Sequence, residues 1–321
     1  MSKPDLLVAA KFPPYLMGRL QQDFTVHDRL HETDPAAFER IAPTVRAIAC
    51  GGESKVPRAL LDRLPKLEMV SVMGVGYDGV DVPAAIERGV PVSHTPNVLN
   101  DDVADLAIAL MLSVARRIPQ ADRFVRAGSW SAGAFPLARK MSGARVGIAG
   151  MGRIGKAIAH RALAFGMSIA YTARSEKKDL AYRFFPSVAA LAAQVDFLVV
   201  ITPGGAGTAK MINREVLDAL GPKGYLVNVA RGSVVDQEAL IAALKEGRIA
   251  GAGLDVFDGE PAVPQALREL DNVVLTPHVG SATDATRKAM ADLAHENLVA
   301  HFAGRPLPSA VPEWQAEGRS R

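Results

Sequence analysis

Three residues able to assist carbonyl reduction stand in the last third of the chain, each beside a turn signal. They are Arg231 in Ala-Arg-Gly, Glu260 in Gly-Glu-Pro and His278 in Thr-Pro-His. An imidazole can give a proton to a developing alkoxide, and a neighbouring carboxylate favours the protonated ring and fixes its tautomer. A guanidinium offers a fork of donors to a carboxylate or a polarised carbonyl oxygen. One histidine after a strand is more often structural than catalytic, so the set carries weight only beside a source of hydride. The sequence shows no metal-ligand spacing and no Gly-x-Ser-x-Gly elbow.

The hydride source is suggested by Gly150-x-Gly152-x-x-Gly155. Val146 to Ala149 reads as a buried strand, and Ile154, Ile158 and Leu163 then fall at helical spacing. Strand, glycine turn and helix in that order are the context of a dinucleotide fingerprint. Gly150 permits the tight turn, Gly152 lets a pyrophosphate approach the backbone, and Gly155 lets the helix pack close to the strand. The plainer alternative is a glycine-rich turn in some other α/β protein.

These residues need a scaffold, and the chain spells one out. Strands are expected at Leu6–Ala10, Phe24–His27, Ala47–Cys50, Leu67–Val72 and Pro91–Thr95, with helices at Pro14–Gln22, Pro57–Leu64 and Val82–Arg88. After the fingerprint come strand candidates at Ser168–Thr172, Asp196–Ile201, Gly224–Val229, Ala250–Leu254 and Asn272–Leu275, and a helix at Ala285–Phe302. Alternation of strand and helix predicts parallel α/β layers in both halves. Ligands of such sheets bind outside the carboxyl ends of the strands, so Arg231, Asp255 and His278 should line one crevice above the cofactor. Between the halves, Asn100–Ile118 reads as one helix, capped by Asn100 or Asp101 and apolar on nearly every side. That points to burial at a subunit or interdomain interface, with burial inside one subunit as the alternative.

Composition narrows the function classes. The chain has 321 residues, 49% of them hydrophobic, which suits two domains with sizeable cores. Its 37 basic and 34 acidic residues leave a net charge of +3, too balanced for a nucleic-acid surface. Cys50 is the only cysteine, so no internal disulfide can form. The first residues lack the apolar core of a signal peptide, and Leu106–Ala115 is too short to span a bilayer. The expectation is a cytoplasmic protein with no membrane or nucleic-acid partner.

The chain resembles the D-isomer-specific 2-hydroxyacid dehydrogenase family over almost its whole length. The resemblance rests on Gly74-Val-Gly-Tyr-Asp-Gly-Val-Asp81, Thr95-Pro-Asn-Val, the glycine fingerprint, Asn228-Val-Ala-Arg-Gly232, Gly253-Leu-Asp-Val-Phe257, Glu260-Pro261 and Pro277-His-Val-Gly-Ser281. It implies two doubly wound parallel-sheet domains: a flavodoxin-like substrate domain (1–96 plus 287–321) and a Rossmann nucleotide-binding domain (97–286). It also implies an active site between the domains and a homodimer through the helix at Asn100–Ile118. By the same resemblance Arg231, Glu260 and His278 are catalytic, and backbone N–H groups of Val75 and Gly76 hold the substrate carboxylate, with Arg231 also touching substrate. Cofactor contacts are expected from Gly150, Met151, Gly152, Arg153, Ile154, Gly155, Arg174, Ser175, Thr202, Pro203, Val229, Ala230, Asp255 and Gly280.

The similarity is greatest to the short glyoxylate/hydroxypyruvate reductase branch, which includes hydroxyphenylpyruvate reductases. Pro277–Thr283 and Val125-Arg-Ala-Gly-Ser-Trp130 favour it. Relatives often place an aspartate at the end of the second nucleotide-domain strand, to bond the ribose hydroxyls. Here Ala173, Arg174 and Ser175 follow that strand instead, which predicts NADP(H) over NAD(H), with Glu176 turning inward onto the ribose hydroxyls as the alternative that would restore NAD(H). Asn100 stands where many relatives carry threonine. Phosphoglycerate dehydrogenase is disfavoured because the chain ends soon after its last long helix, and formate dehydrogenase because Glu260 is present. A dinucleotide-sensing corepressor would need a partner groove or extended tails that the sequence does not display.

Overall fold

The computed structural model describes residues 3–316. They form two compact units, residues 3–99 with 283–316, and residues 100–282. The divisions fall a few residues from 96/97 and 286/287, close to the start of each long helix.

The first unit is built on a five-stranded parallel sheet. Its strands are β1 (Asp5–Val8), β2 (Thr25–Asp28), β3 (Val45–Gly51), β4 (Met69–Met73) and β5 (Val92–Ser93), in the order β2-β1-β3-β4-β5. Every residue of β4 is buried, as expected of a strand covered on both faces, whereas the edge strand β2 buries none. Two short helices, Leu30–Thr33 and Pro35–Ile41, were not anticipated. The second had a readable signal, since Asp34 caps it by accepting from the Ala37 N–H (2.9 Å) and Pro35 opens its first turn. Pro57 is the N-cap of the helix Arg58–Asp62 and not part of its first turn. The helix Asp284–Phe302 packs on β4 and on the helix Pro14–Asp23. Ser71 Oγ donates to the Ala294 carbonyl (2.9 Å), and His295 Nε2 meets Asp23 Oδ2 (2.8 Å). The segment after that helix returns along the sheet edge, where Ala310 pairs antiparallel with Ser93.

The second unit holds a seven-stranded parallel sheet. The strands are β6 (Arg145–Ala149), β7 (Ser168–Thr172), β8 (Arg183–Phe184), β9 (Phe197–Val200), β10 (Tyr225–Asn228), β11 (Gly251–Leu254) and β12 (Val273–Leu275). Their order is β12-β11-β10-β9-β6-β7-β8. The chain runs outward from β6 in one direction and then returns to the other side through β9. The switch point between β6 and β9 therefore opens a crevice at their carboxyl ends. β8 was missed because two residues at a sheet edge carry no periodicity to read.

The helix expected over Asn100–Ile118 is two helices. The first, Asn100–Arg116, stops at Arg117, which adopts a left-handed φ of 55°, and a second runs from Ile118 to Arg126. Pro119 explains the break: it lacks an N–H and its ring would clash with the carbonyl four residues back, so the first helix cannot run through it, whereas the first turn of a new helix accepts it. Asn100 is the first helical residue, and its buried Oδ1 has no hydrogen-bond partner among the described residues, so it does not cap the helix. Eight of the seventeen residues of the first helix are buried in the single chain. They pack on β10, β11, β12 and the helix Arg153–Ala164. The approach is close, because a Cβ at Gly253 would lie 3.0 Å from the Leu110 Cβ. Its apolar character is thus largely consumed within its own unit. Large exposed apolar side chains follow it in the chain: Ile118, Val125, Trp130 and Leu137.

Asp196 ties the near ends of β6 and β9. Its Oδ2 accepts from the Arg145 N–H (2.9 Å) and Nε (3.2 Å), and its Oδ1 accepts from Arg139 Nη2 (3.0 Å). Burial pushes this carboxyl up, but the hydrogen bonds and charge of Arg145, with Arg139, outweigh it and hold Asp196 below the ordinary carboxylate range. A depressed folded pKa contributes stability above the unfolded value of about 4, and loses it as pH falls through the folded one. Asp196→Asn should therefore lower stability near neutral pH by about 1–2 kcal/mol. The gap from the parent should narrow toward pH 3 in urea-unfolding midpoints, and a gap independent of pH would contradict the assignment.

Candidate active site

The crevice of the second unit begins where β6 meets its glycine turn. Gly150 has φ 107°, and a Cβ there would lie 2.6 Å from the Ile201 carbonyl oxygen. A Cβ on Gly155 would fall 2.1 Å from the Gly150 carbonyl oxygen, so only glycine lets the helix start this close to the strand. At Gly152 a Cβ would meet nothing within 4 Å and would instead fill the space in front of the helix. The Lys156 N–H bonds back to the Gly152 carbonyl (2.9 Å), so the N–H groups of Arg153, Ile154 and Gly155 precede that bond at the helix start. Met151 is buried beneath the turn. This cradle suits a pyrophosphate.

Further along the same edge, Thr202 follows β9. Its Oγ1 is buried without a hydrogen-bond partner among the described residues, an unsatisfied group that a bound dinucleotide could serve. Pro203 beside it is exposed, and Val229 and Ala230 after β10 are buried. Beyond β7, Arg174, Ser175 and Glu176 are all exposed on one loop. The loop is closed by Tyr171, whose buried hydroxyl accepts the Lys177 N–H at 2.7 Å. No acidic residue stands immediately after the strand. The glycine cradle, the orphan hydroxyl and this loop together fit a nicotinamide dinucleotide.

The polar residues after β10, β11 and β12 are brought to one edge by the register. Asn228 pairs with Leu254, and Leu254 with Leu275, so Arg231, Asp255 and His278 follow three adjacent strand ends. The turn carrying Arg231 is built by Asn228. Its Oδ1 accepts the Ala230 N–H (3.0 Å) and its Nδ2 donates to the Arg231 carbonyl (3.0 Å). Arg231 Nη1 also donates to the Ala230 carbonyl (2.8 Å). Gly232 allows the turn to press on the next loop, where a Cβ would lie 1.9 Å from the backbone of Phe257.

His278 and Glu260 do meet: Nδ1 lies 2.8 Å from Glu260 Oε2, while Oε1 accepts the Phe257 N–H at 2.7 Å. A carboxylate can only accept here, so Nδ1 carries a hydrogen and the ring is held in one orientation. The backbone of His278 has φ 52°, an uncommon conformation for a residue with a Cβ. Asp255 supports it. The carboxylate, 2% exposed, accepts from Thr276 Oγ1 (2.6 Å), the Val279 N–H (2.8 Å) and the Gly280 N–H (2.9 Å). Its backbone carbonyl accepts the His278 N–H (2.9 Å). Asp255 and Gly280, both expected to touch cofactor, are placed here as parts of the turn that carries the histidine.

Val75 and Gly76 lie in the first unit, in the loop after β4. Neither N–H has a hydrogen-bond partner among the described residues, although both residues are half-buried. Adjacent backbone donors left in this way can take an anion. Sequence reasoning missed the roles of Asn228 and Tyr171. Asn228 had a signal, a polar side chain closing an apolar strand just before a turn. Tyr171 had none, since an aromatic in a strand reads as core.

The profile of the D-isomer specific 2-hydroxyacid dehydrogenase NAD binding domain matches residues 108–280. A hydroxyphenylpyruvate reductase of Plectranthus scutellarioides is 49% identical over 309 residues, covering 95% of this chain and 98% of its own. A glyoxylate/hydroxypyruvate reductase of Arabidopsis thaliana is 50% identical, covering 97% of this chain and all of its own. Among solved structures, the NADPH-dependent glyoxylate/hydroxypyruvate reductase of Sinorhizobium meliloti, in complex with NADP and malonate, superposes with a TM-score of 0.92. It is 47% identical and covers 97% of this chain and 98% of that one.

Proposed function

Because the chain belongs to the D-isomer specific 2-hydroxyacid dehydrogenase family, we propose that it reduces small 2-oxoacids, hydroxypyruvate and glyoxylate first, to D-2-hydroxyacids with NADPH. The observation that carries this reading is the His278–Glu260 pair at the carboxyl edge of a sheet whose glycine turn suits a pyrophosphate.

The bound nicotinamide supplies the hydride. His278, oriented through Nδ1 by Glu260, presents Nε2 as the donor of the proton that the carbonyl oxygen gains. Arg231 orients the substrate and polarises its carbonyl oxygen. The N–H groups of Val75 and Gly76 hold the substrate carboxylate. Gly150, Met151, Gly152, Arg153, Ile154 and Gly155 form the pyrophosphate cradle, with Thr202, Pro203, Val229, Ala230, Asp255 and Gly280 along the rest of the cofactor's path. Arg174 and Ser175 take the 2′-phosphate. The 4-hydroxyphenylpyruvate reading is the rival within the family, favoured by the Plectranthus relative. A panel of four acids with both reduced nicotinamides separates them: hydroxypyruvate, glyoxylate, pyruvate and 4-hydroxyphenylpyruvate. A corepressor-like binding role is not favoured, because the matching relatives are named reductases. No helix among the described residues is long and apolar enough to cross a membrane.

A homodimer is part of the proposal. Its support is the set of exposed apolar side chains in 118–137, where Ile118, Val125, Trp130 and Leu137 are each about half exposed or more in the single chain. The helix Asn100–Arg116, with eight of its seventeen residues buried in the single chain, would border such an interface. Sedimentation at micromolar concentration should give a dimer, and a monomer would refute this.

His278→Ala should lower kcat by several orders of magnitude while NADPH still binds, because it removes the proton donor and leaves the cradle. Near-normal turnover would refute the assignment. A charged hydrogen bond contributes about 1.5–3 kcal/mol, so Arg174→Ala should weaken NADPH by roughly one to two orders of magnitude. NADH should change little, and equal weakening of both would show that Arg174 does not read the phosphate.

A further inference from the structure

The two N–H groups assigned to the substrate carboxylate belong to successive peptide units, Gly74–Val75 and Val75–Gly76. A trans peptide is planar, so its carbonyl and its N–H point in opposite directions. Fixing the carbonyl of each unit therefore fixes where its N–H points. The structure fixes both from one neighbouring dipeptide. The Gly74 carbonyl accepts the Thr95 N–H at 2.8 Å, and the Val75 carbonyl lies 3.0 Å from His94 Nδ1. A carbonyl can only accept, so Nδ1 of His94 is the donor.

His94 is itself rigidly held. It is 7% exposed, and the ring of Tyr77 meets it edge-on with centroids 5.2 Å apart. Its backbone N–H donates to the Ser309 carbonyl (3.1 Å), and its carbonyl accepts from Ser309 Oγ (2.7 Å). Ser309 is anchored in turn by the fully buried Asn297 of the last long helix, whose Nδ2 donates to Ser309 Oγ (2.8 Å) and whose Oδ1 accepts the Ser309 N–H (3.1 Å). A polar network this complete, in a buried place, specifies one geometry. Nothing in the proposed chemistry uses it.

We propose that His94 is a positioning residue for the substrate carboxylate: its Nδ1–H pins the Val75 carbonyl and so aims the Gly76 N–H. A hydrogen bond on a peptide carbonyl also polarises that peptide and strengthens its N–H as a donor. Thr95 does the same for the Val75 N–H through backbone alone, so only the His94 contribution can be removed by substitution. The proposal rests on the reading of Val75 and Gly76 as carboxylate donors.

The test compares His94→Phe, which keeps an aromatic ring without the donor, with His94→Asn, whose side-chain N–H can reach the place of Nδ1. His94→Phe should raise the KM for hydroxypyruvate about tenfold, with kcat within a few-fold and the KM for NADPH unchanged. His94→Asn should restore most of the loss. An unchanged KM in His94→Phe, a fall in NADPH binding of the same size, or a failure of His94→Asn to rescue would each overturn the role. The underlying reading is checked separately in the parent protein with NADPH bound. After 15N-glycine labelling, the Gly76 amide resonance should move when oxalate is added. A Gly76 resonance that does not respond removes the carboxylate reading and the proposal with it. A responsive Gly76 with no effect of His94→Phe removes His94 alone.

Discussion

The carboxylate of Asp255 is the constraint on which the rest of the candidate site depends. It is buried just past the carboxyl end of β11, where an unpaired charge would be costly, and it is satisfied by one hydroxyl and two backbone N–H groups of a single turn. Those bonds bend residues 276–280 around it and stabilise the left-handed backbone of His278. A histidine forced into that conformation costs about 1–3 kcal/mol elsewhere in a chain, and here the turn's own hydrogen bonds offset it. The imidazole then leaves the turn in a direction that meets Glu260. Glu260 is fixed by the Phe257 N–H, and Phe257 presses on Gly232 and so on the turn of Arg231. A chain of short contacts thus connects β11 to all three polar side chains.

Glycine marks the places where backbone must touch backbone. At Gly155 and Gly232 any Cβ would overlap main-chain atoms that no rotamer change can move aside. The first sets the distance from strand to helix in the pyrophosphate cradle, the second the distance from the arginine turn to the glutamate loop. Gly152 differs: its Cβ would meet nothing, and the need for glycine there comes from whatever occupies the space outside. The same motif letter therefore has two physical meanings, one internal to the fold and one facing a ligand.

The helix Asn100–Arg116 shows how little an apolar surface says about what covers it. An apolar surface on nearly every side states only that the helix is covered. It does not say by what. Sheet strands β10 to β12 on one side and the helix Arg153–Ala164 on another account for most of the cover, and Arg161 pairs with Asp101 (3.0 Å) on its remaining polar face. The apolar surface left over lies past the break at Arg117, in a stretch whose mixed composition drew no such inference.

The sequence alone determined the alternation of strands and helices, the glycine turn and the identity of the polar residues at strand ends. Each is carried by local pattern: apolar runs of strand length, helical spacing, and glycine or proline at fixed positions. Strand β7 was legible to the residue. The order of strands in each sheet was not, because pairing depends on contacts far apart in the chain, and neither was a two-residue edge strand. Tertiary structure alone decided which atoms meet. The meeting of His278 with Glu260 was expected from their places after strand ends, but its geometry was not, and the closing of the Arg174 loop by Tyr171 and the grip of His94 on the Val75 carbonyl had no signal in the sequence at all. Hydrogen bonds of 2.7 to 3.0 Å demand positions set by packing from every side, and a one-dimensional pattern holds only the residue types that such packing can use.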